Sequence, residues 1–219
     1  MVEKMQKSTN ERVMIVGAMG VIEAVLESAP QPAFISVVCH PHPLYGGTME
    51  NKVVTTLCRA VRDGGGAALR FNFRGVGKSD GTYGEGIGEA EDLLAAMHWL
   101  QARFPELPLW LAGFSFGSYV AAYGAVSLRA NEQAPSHLFL VAPPVHHFDF
   151  AAITNVGCAV TVVQGDDDEV VAAEQVHQWA LQSPLQPELI RFSECGHFFH
   201  GRLSELKQLA LSRLPDTRA

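Results

Sequence analysis

The stretch that most limits the possible folds is 109–118, an apolar run that ends in a Gly-x-Ser-x-Gly motif. Such a run is typical of a strand buried on both faces of a parallel sheet. The Ala-rich segment after it, 119–128, has the composition of a helix. Because Gly113 and Gly117 flank Ser115, strand and helix can close tightly while the serine side chain is pushed clear of the backbone. A glycine-rich turn that only connects two elements is the simpler interpretation of this motif alone.

Strand and helix patterns alternate along most of the chain. The predicted strands are 34–39, 67–73, the run beginning at 109, 137–142, 159–164 and 188–192, and the predicted helices are 51–62, 88–104, 119–128, 172–182 and 203–214. A hairpin with strands 13–16 and 21–26 precedes them. This order predicts an α/β fold, a mostly parallel central sheet of about eight strands with helices on both faces and an antiparallel N-terminal edge. We expect a single domain over residues 1–219.

Composition and charge argue against several classes of function. Hydrophobic residues make up 47% of the chain, which is enough for a substantial core, and the formal net charge of −7 argues against a nucleic-acid or anionic-membrane partner. No apolar run approaches membrane-spanning length, and the polar segment 1–12 lacks the apolar core of a signal peptide. We therefore expect a cytoplasmic protein whose cysteines are free and mostly buried. These are Cys39, Cys58, Cys158 and Cys195.

Histidines collect where the predicted strands end. Ligands of mostly parallel sheets bind outside the carboxyl ends of the strands. Six of the nine histidines fall there: His40, His42, His146, His147, His197 and His200. Histidine titrates near neutral pH, so this gathering indicates chemistry, although surface loops carry polar residues in any protein.

The order of three polar groups along the chain narrows that chemistry. A serine hydroxyl is a good nucleophile only when a base removes its proton and an acid orients the base. Ser115 is followed by the acidic loop 166–168, and that loop is followed by the pair Gly196-His197. The order Ser, Asp, His and the Gly-x-Ser-x-Gly motif resemble those of the α/β-hydrolase superfamily, whose motif forms a nucleophile elbow.

The resemblance implies a role for each member of the triad. The acidic loop is similar to the superfamily's Gly-x-x-Asp-x-x-Val segment, in which Asp168 aligns with the acid. The resemblance thus implies Ser115 as nucleophile, Asp168 as acid and His197 as base. Asp166 and Asp167 remain competitors for the acid and His200 for the base. These competitors lie in the same two loops.

The resemblance also implies an oxyanion hole with two backbone N–H donors. The first is the N–H of Phe116, the residue after the nucleophile. The loop 40–47 is similar to the superfamily's His-Gly-x-x-Gly loop, with Pro41 where glycine is usual. When His40 is aligned with the histidine of that loop, the backbone N–H of His42 becomes the second donor. Pro41 and Pro43 on either side have no N–H to offer.

Two further segments complete the resemblance. Segment 71–79 resembles the superfamily's Asn-x-Arg-Gly-x-Gly-x-Ser segment and lacks P-loop spacing, so we expect Arg74 to be structural, paired with Glu89 or Asp92. The loop 40–47, segment 71–79 and the Gly-x-Ser-x-Gly motif together look like a small bacterial subgroup of predicted serine hydrolases. The segment between 142 and 159 is too short for a helical cap, so we expect an uncapped site. We expect an apolar acyl pocket. Its candidate residues are Leu44, Tyr45, Phe114, Phe116, Phe148 and Phe198. Several of them also suit the core, and the position of Phe114 in a buried strand favours burial.

The resulting hypothesis is a serine hydrolase that cleaves carboxylic esters of small or exposed acyl groups through an acyl-enzyme. It needs no metal or organic cofactor, and its partner is a small-molecule ester or thioester. A thioesterase or small-peptide hydrolase with the same triad is the alternative. Two less favoured hypotheses are a metal-dependent hydrolase, using His40 and His42 with Asp166 or His146, and a non-catalytic module. The sequence does not indicate the oligomeric state.

Overall fold

A central eight-stranded sheet runs through residues 9–216, the part of the chain that the computed structural model describes. The strands are β1 (Thr9–Gly17), β2 (Gly20–Ser28), β3 (Ile35–Cys39), β4 (Ala67–Phe71), β5 (Leu109–Phe114), β6 (His137–Val141), β7 (Ala159–Gly165) and β8 (Glu188–Phe192). The helices are α1 (Lys52–Asp63), α2 (Ile87–Arg103), α3 (Phe116–Ala130), α4 (Ala173–Gln182) and α5 (Leu203–Leu211). Residues 1–8 of the polar N-terminal segment lie outside the described part.

The sheet order is β1-β2-β4-β3-β5-β6-β7-β8. Strand β2 is antiparallel to both of its neighbours, and every other pair is parallel. This confirms the predicted fold class, with its antiparallel N-terminal edge. The hairpin is longer than predicted, because the polar residues at the start of β1 continue the pairing as far as Thr9 opposite Ser28. An exposed edge strand gives no apolar signal there.

Two apolar cores lie on the two faces of the sheet. Helices α2, α3 and α4 cover one face, and α1 and α5 cover the other. Neighbouring residues of a strand point to opposite faces, so Val37 packs in the first core and Val38 in the second. Burial on both faces explains why β3, β4 and β5 are buried along their whole length.

The connection between β6 and β7 carries no cap domain. Residues 142–158 contain one regular element, the short 3-10 helix Phe150–Ala152. The four cysteines are unpaired, and all but the half-buried Cys158 are buried, as predicted. Among the residues described, no helix is both long enough and apolar enough to cross a membrane.

The loop after β4 is held by a buried ion pair. Arg74 donates from Nε and Nη2 to the carboxylate of Asp92 at 2.8–3.2 Å, and its backbone N–H donates to the same group at 2.9 Å. Glu91 adds a second ion pair. The alternative partner, Glu89, instead accepts from the N–H groups of Gly84 and Gly86 before α2. Of the two predicted partners, Asp92 is therefore the correct one, because Glu89 caps the helix.

The topology brings the candidate residues to one edge. His42 follows β3, Ser115 follows β5, Asp168 follows β7 and His197 follows β8. These four strands are parallel members of one sheet, so their carboxyl ends meet at the same side.

Candidate active site

Ser115 lies in a strained turn between β5 and α3. Its φ of 53° and ψ of −123° place a non-glycine residue in a disfavoured region. Its N–H donates to the carbonyl of Val141 at 2.8 Å, which fixes the turn against β6. A Cβ on Gly113 would collide with the Gly117 carbonyl, and one on Gly117 would collide with the carbonyl of Cys39. Both glycines are thus required for strand, helix and the loop after β3 to meet around the serine.

Three polar side chains form a continuous hydrogen-bonded chain at this turn. His197 Nε2 lies 3.1 Å from Ser115 Oγ, and His197 Nδ1 lies 2.8 Å from Asp168 Oδ2. The side chains of His197 and Asp168 are 3% and 0% exposed. Through these hydrogen bonds the Ser115 hydroxyl can pass its proton to the imidazole of His197. The site is largely closed to water, and the buried carboxylate of Asp168 is placed to stabilise the resulting imidazolium.

Asp168 is held as a carboxylate by four hydrogen bonds. Its Oδ1 accepts from the N–H groups of Val170 and Val171 at 2.9 and 2.7 Å, and its Oδ2 accepts from Gln164 Nε2 at 3.0 Å as well as bonding His197. Burial acts to raise the pKa of Asp168, but the hydrogen bond and charge of His197 and the N–H groups of Val171 and Val170 outweigh it and lower the pKa below its ordinary value. No sequence motif indicated Gln164.

The competing residues of the two loops point elsewhere. Asp166 Oδ1 accepts from Arg191 Nε at 2.8 Å, on the surface beside β8. Asp167 and His200 are exposed. Of these residues, only Asp168 has its carboxylate against the imidazole that reaches Ser115.

Sequence reasoning missed a second acid beside the base loop. The Glu169 carboxylate accepts from the backbone N–H of His197 at 3.0 Å and covers Gly196. It therefore fixes the backbone from which the imidazole projects. Its only sequence signal was its place next to Asp168 in an acidic run.

Two residues that line the cavity with Ser115 have backbone N–H groups without a protein partner among residues 9–216. Phe116 is the first residue of α3, where N–H groups have no acceptor within the helix. His42 lies in the loop after β3, and among residues 9–216 its N–H donates to no protein atom. Both residues line the cavity that contains Ser115. The arrangement can hold an oxygen that gains negative charge.

His40 is a structural residue that anchors this loop. Its Nε2 accepts from the N–H of Phe73 at 3.0 Å, so its Nδ1 carries the proton and donates to the carbonyl of Pro41 at 2.6 Å. Burial lowers the pKa of His40 to about 4. The imidazole thus stays neutral and ties the end of β3 to the end of β4.

This burial predicts a stability change with pH. In the unfolded chain His40 binds a proton as the pH falls through about 6.5, whereas in the folded protein it does so only near pH 4. The free energy of unfolding should therefore fall, through His40 alone, by about 2 kcal/mol between about pH 7 and about pH 5. Urea unfolding at both values, compared with His40→Gln, measures this slope.

The control for that measurement is His200→Gln, which changes an exposed imidazole. We expect His40→Gln to flatten the pH dependence and His200→Gln to leave it as in the wild type. Equal slopes for the wild type and His40→Gln would show that His40 does not titrate in this way.

A cavity of about 550 Å³ opens beside Ser115. Its walls are mainly apolar, and four of the six expected pocket residues line it: Tyr45, Phe116, Phe148 and Phe198. Leu44 and Phe114 were wrongly included. Leu44 lies on the exposed 3-10 helix Pro43–Tyr45 without lining the cavity, and Phe114 is fully buried beneath the site with its ring 5.0 Å from that of His197. Of the remaining loop histidines, His147 also lines the cavity.

The residues named for a metal site do not converge. Within residues 9–216 there is no cluster of three or more histidine, cysteine or carboxylate side chains placed to hold a metal ion. Both nitrogens of His40 are engaged, and His146 lies against His147 with ring centroids 3.9 Å apart. His42 and Asp166 therefore lack the partners that this alternative required.

Comparisons with known proteins place this geometry in context. No model of a known protein family matches the sequence. The chain is 35% identical over 202 residues to an uncharacterized protein of Rickettsia prowazekii, covering 88% of this chain and 83% of that protein. A crystal structure of an α/β serine hydrolase without a lid from Xanthomonas campestris shares 37% identity, covers 95% of this chain and 96% of its own, and superposes with a TM-score of 0.87.

A second solved structure is similar over almost the same length. It is an α/β serine hydrolase homologue from Coxiella burnetii, with 44% identity, a TM-score of 0.86, and coverage of 94% of this chain and 98% of that chain. The likeness therefore spans the sheet, the elbow and the loops that carry the candidate residues.

Proposed function

The chain belongs to the family of α/β serine hydrolases without a lid, and we propose that it cleaves carboxylic esters of small or exposed acyl groups through an acyl-enzyme. It is a hydrolase with the α/β-hydrolase fold, as its sequence predicted. The observation that carries the ester proposal is the unbroken chain of hydrogen bonds from Ser115 through His197 to the buried Asp168.

In the proposed first step, Ser115 Oγ attacks the ester carbonyl while His197 Nε2 takes its proton. Asp168 keeps the other proton of the imidazole on Nδ1 and stabilises the imidazolium. The tetrahedral intermediate then expels the alcohol, which takes the proton from His197, and the acyl group remains on the serine. In the second half of the reaction, water attacks the acyl-enzyme while His197 takes its proton. This step releases the carboxylic acid, and His197 returns the proton to Ser115 Oγ.

The proposed oxyanion hole consists of the backbone N–H groups of Phe116 and His42. Each such donor is typically worth about 3 kcal/mol of transition-state stabilisation. Both N–H groups lack a protein partner among residues 9–216, and Gly117 allows the loop after β3 to approach the elbow. The chemistry requires neither a metal nor an organic cofactor.

The cavity supports a small, uncharged substrate. Its lining contains no aspartate or glutamate to pair with the amino terminus of a small peptide and no lysine or arginine to pair with the carboxyl terminus. Thioesters would use the same machinery and remain the alternative substrate. No cap covers the cavity, which suits acyl groups that are short or partly exposed.

We also propose that residues 1–219 act as one domain in the cytoplasm, in line with the four free thiols.

A chain-length series tests this proposal. We expect the 4-nitrophenyl esters of acetate and butyrate to be hydrolysed with kcat/KM at least about tenfold higher than the palmitate ester, because no cap encloses the cavity and a long acyl chain would stay largely in water. EDTA should leave the rate unchanged. The S-acyl analogues, measured with the same acyl groups, decide between ester and thioester preference. A preference for palmitate, or activity lost to EDTA and restored by zinc, would contradict the proposal.

A further inference from the structure

We propose that the imidazole of His42 is a neutral hydrogen-bond donor that selects esters bearing an acceptor oxygen close to the scissile carbonyl. This inference rests on the proposed function and concerns the side chain of His42, whereas the proposed oxyanion donor is its backbone N–H.

The protonation of the ring is fixed by the turn that follows it. The N–H of Leu44 donates to His42 Nδ1 at 3.2 Å, at the start of the short 3-10 helix Pro43–Tyr45. A nitrogen that accepts a hydrogen bond carries no proton in the neutral imidazole. The proton of neutral His42 is therefore on Nε2, and Nε2 is a donor.

The surroundings favour the neutral form. Burial lowers the pKa of His42 below its ordinary value, and nearby His147 lowers it further, while Glu89 acts in the opposite direction. Near neutral pH the side chain thus presents an N–H group without a full charge. Such a donor suits an ether, hydroxyl or carbonyl oxygen.

Aromatic contacts hold the ring in place. The imidazole centroid lies 4.8 Å from the ring of Phe116, 4.9 Å from that of Tyr45 and 5.0 Å from that of Tyr83. Phe116 follows the nucleophile directly, so the ring is positioned against the elbow. A donor held in this way loses little conformational entropy when it binds an acceptor.

His42 lines the proposed substrate cavity, and its donor is unpaired. Within residues 9–216, Nδ1 is the ring nitrogen that bonds to protein, and Nε2 has no protein acceptor. Beyond Ser115 and His197, the polar side chains of the cavity are those of His42, Tyr45, Asn51 and His147. Asn51 Oδ1 accepts from the N–H of Val53, which leaves Nδ2 as the group that Asn51 offers to a substrate, so the test changes His42 alone. A site that offers a hydrogen bond discriminates against substrates that cannot complete it.

Matched esters that differ by one oxygen test the inference. On the acyl side, 4-nitrophenyl methoxyacetate is compared with the butyrate ester, and on the alcohol side, a 2-methoxyethyl ester is compared with the n-butyl ester. For each pair, the kcat/KM of the oxygen-bearing ester is divided by that of its hydrocarbon partner. This ratio is then divided by the same ratio of rate constants for hydrolysis by hydroxide without enzyme, because the extra oxygen also changes the intrinsic reactivity of the ester. The variants are His42→Phe, which keeps an aromatic ring but no donor, and His42→Gln, whose amide restores an N–H at the ε position.

We expect the corrected ratio of one pair to favour the oxygen-bearing ester in the wild type. It should fall about fivefold in His42→Phe and recover in His42→Gln, as the loss of one neutral hydrogen bond predicts. A structural effect of the substitution would lower both rates of a pair equally and leave the ratio unchanged. Should His42→Phe fail to fold, His42→Ala is the second variant without a donor.

The outcomes separate the inference from the function on which it rests. The inference is overturned if all four esters are hydrolysed and the corrected kcat/KM ratios of both pairs are the same in the wild type and the variant without a donor. The proposed ester-hydrolase function would survive that result. No hydrolysis of any ester by the folded wild type overturns the proposed function and the inference together.

Discussion

Replacing Ser115 with alanine should lower kcat for ester hydrolysis by about ten-thousandfold or more. The substitution removes the hydroxyl oxygen that lies 3.1 Å from His197 Nε2, so no acyl-enzyme can form on residue 115. Loss of the nucleophile in a serine hydrolase leaves only the contribution of the oxyanion hole and substrate binding. Steady-state hydrolysis of 4-nitrophenyl acetate by the purified variant measures the effect.

The fold should survive this substitution, because the turn is held by backbone contacts. The N–H of residue 115 would still donate to the carbonyl of Val141, and both flanking glycines remain. Circular dichroism and urea unfolding check this, with Ser204→Ala, an exposed serine on α5, as the control for the substitution itself. Activity of Ser115→Ala within tenfold of the wild type would remove Ser115 from the proposed mechanism.

The second large effect is expected for Asp168→Asn. The amide would place N–H groups against His197 Nδ1, where the carboxylate now accepts at 2.8 Å. The neutral imidazole would then carry its proton on Nε2, facing Ser115, and could no longer act as a base. The expected loss in kcat is about a thousandfold to ten-thousandfold.

Asp167→Asn is the matched control for that variant. It makes the same chemical change one residue earlier in the same loop, at an exposed side chain. We expect its kcat to stay within about threefold of the wild type, because surface substitutions of this kind have small effects. The opposite ranking of the two variants would move the acid of the triad to Asp167.

The sequence predicted the elements of the site that depend on local chain geometry. The glycines on either side of Ser115 indicated the tight strand-to-helix turn, and the structure shows the two close approaches that require them. The alternation of strands and helices predicted the parallel sheet. A parallel sheet places the carboxyl ends of β5, β7 and β8 at one edge, so the proximity of Ser115, Asp168 and His197 followed from the topology.

The contacts between loops could not be predicted from sequence patterns. The three aspartates at 166–168 share one loop, and only the register of the loop against β8 distinguishes the one that faces His197. Gln164 and Glu169 hold the site through hydrogen bonds that have no sequence motif. His40 looked as suitable for chemistry as its neighbours, yet its burial between β3 and β4 makes it a structural residue.

The pocket lining was the other source of error. Leu44 and Tyr45 are adjacent in the short 3-10 helix and both are largely exposed, yet of these two only Tyr45 lines the cavity. Apolar character alone gave both residues the same expectation. Phe114, by contrast, lies in the core under His197, as its position in a buried strand favoured.

The central claim is that Ser115 is activated by His197, and a fluorophosphonate label tests it most directly. The probe bonds covalently to a serine oxygen with loss of fluoride, and only an activated serine reacts quickly. Labelling followed by peptide mapping should place the label on Ser115 in the wild type, at a rate at least about a hundredfold above that of folded His197→Ala. A label on another residue, equal rates in the two proteins, or no label on the folded wild type would contradict the claim.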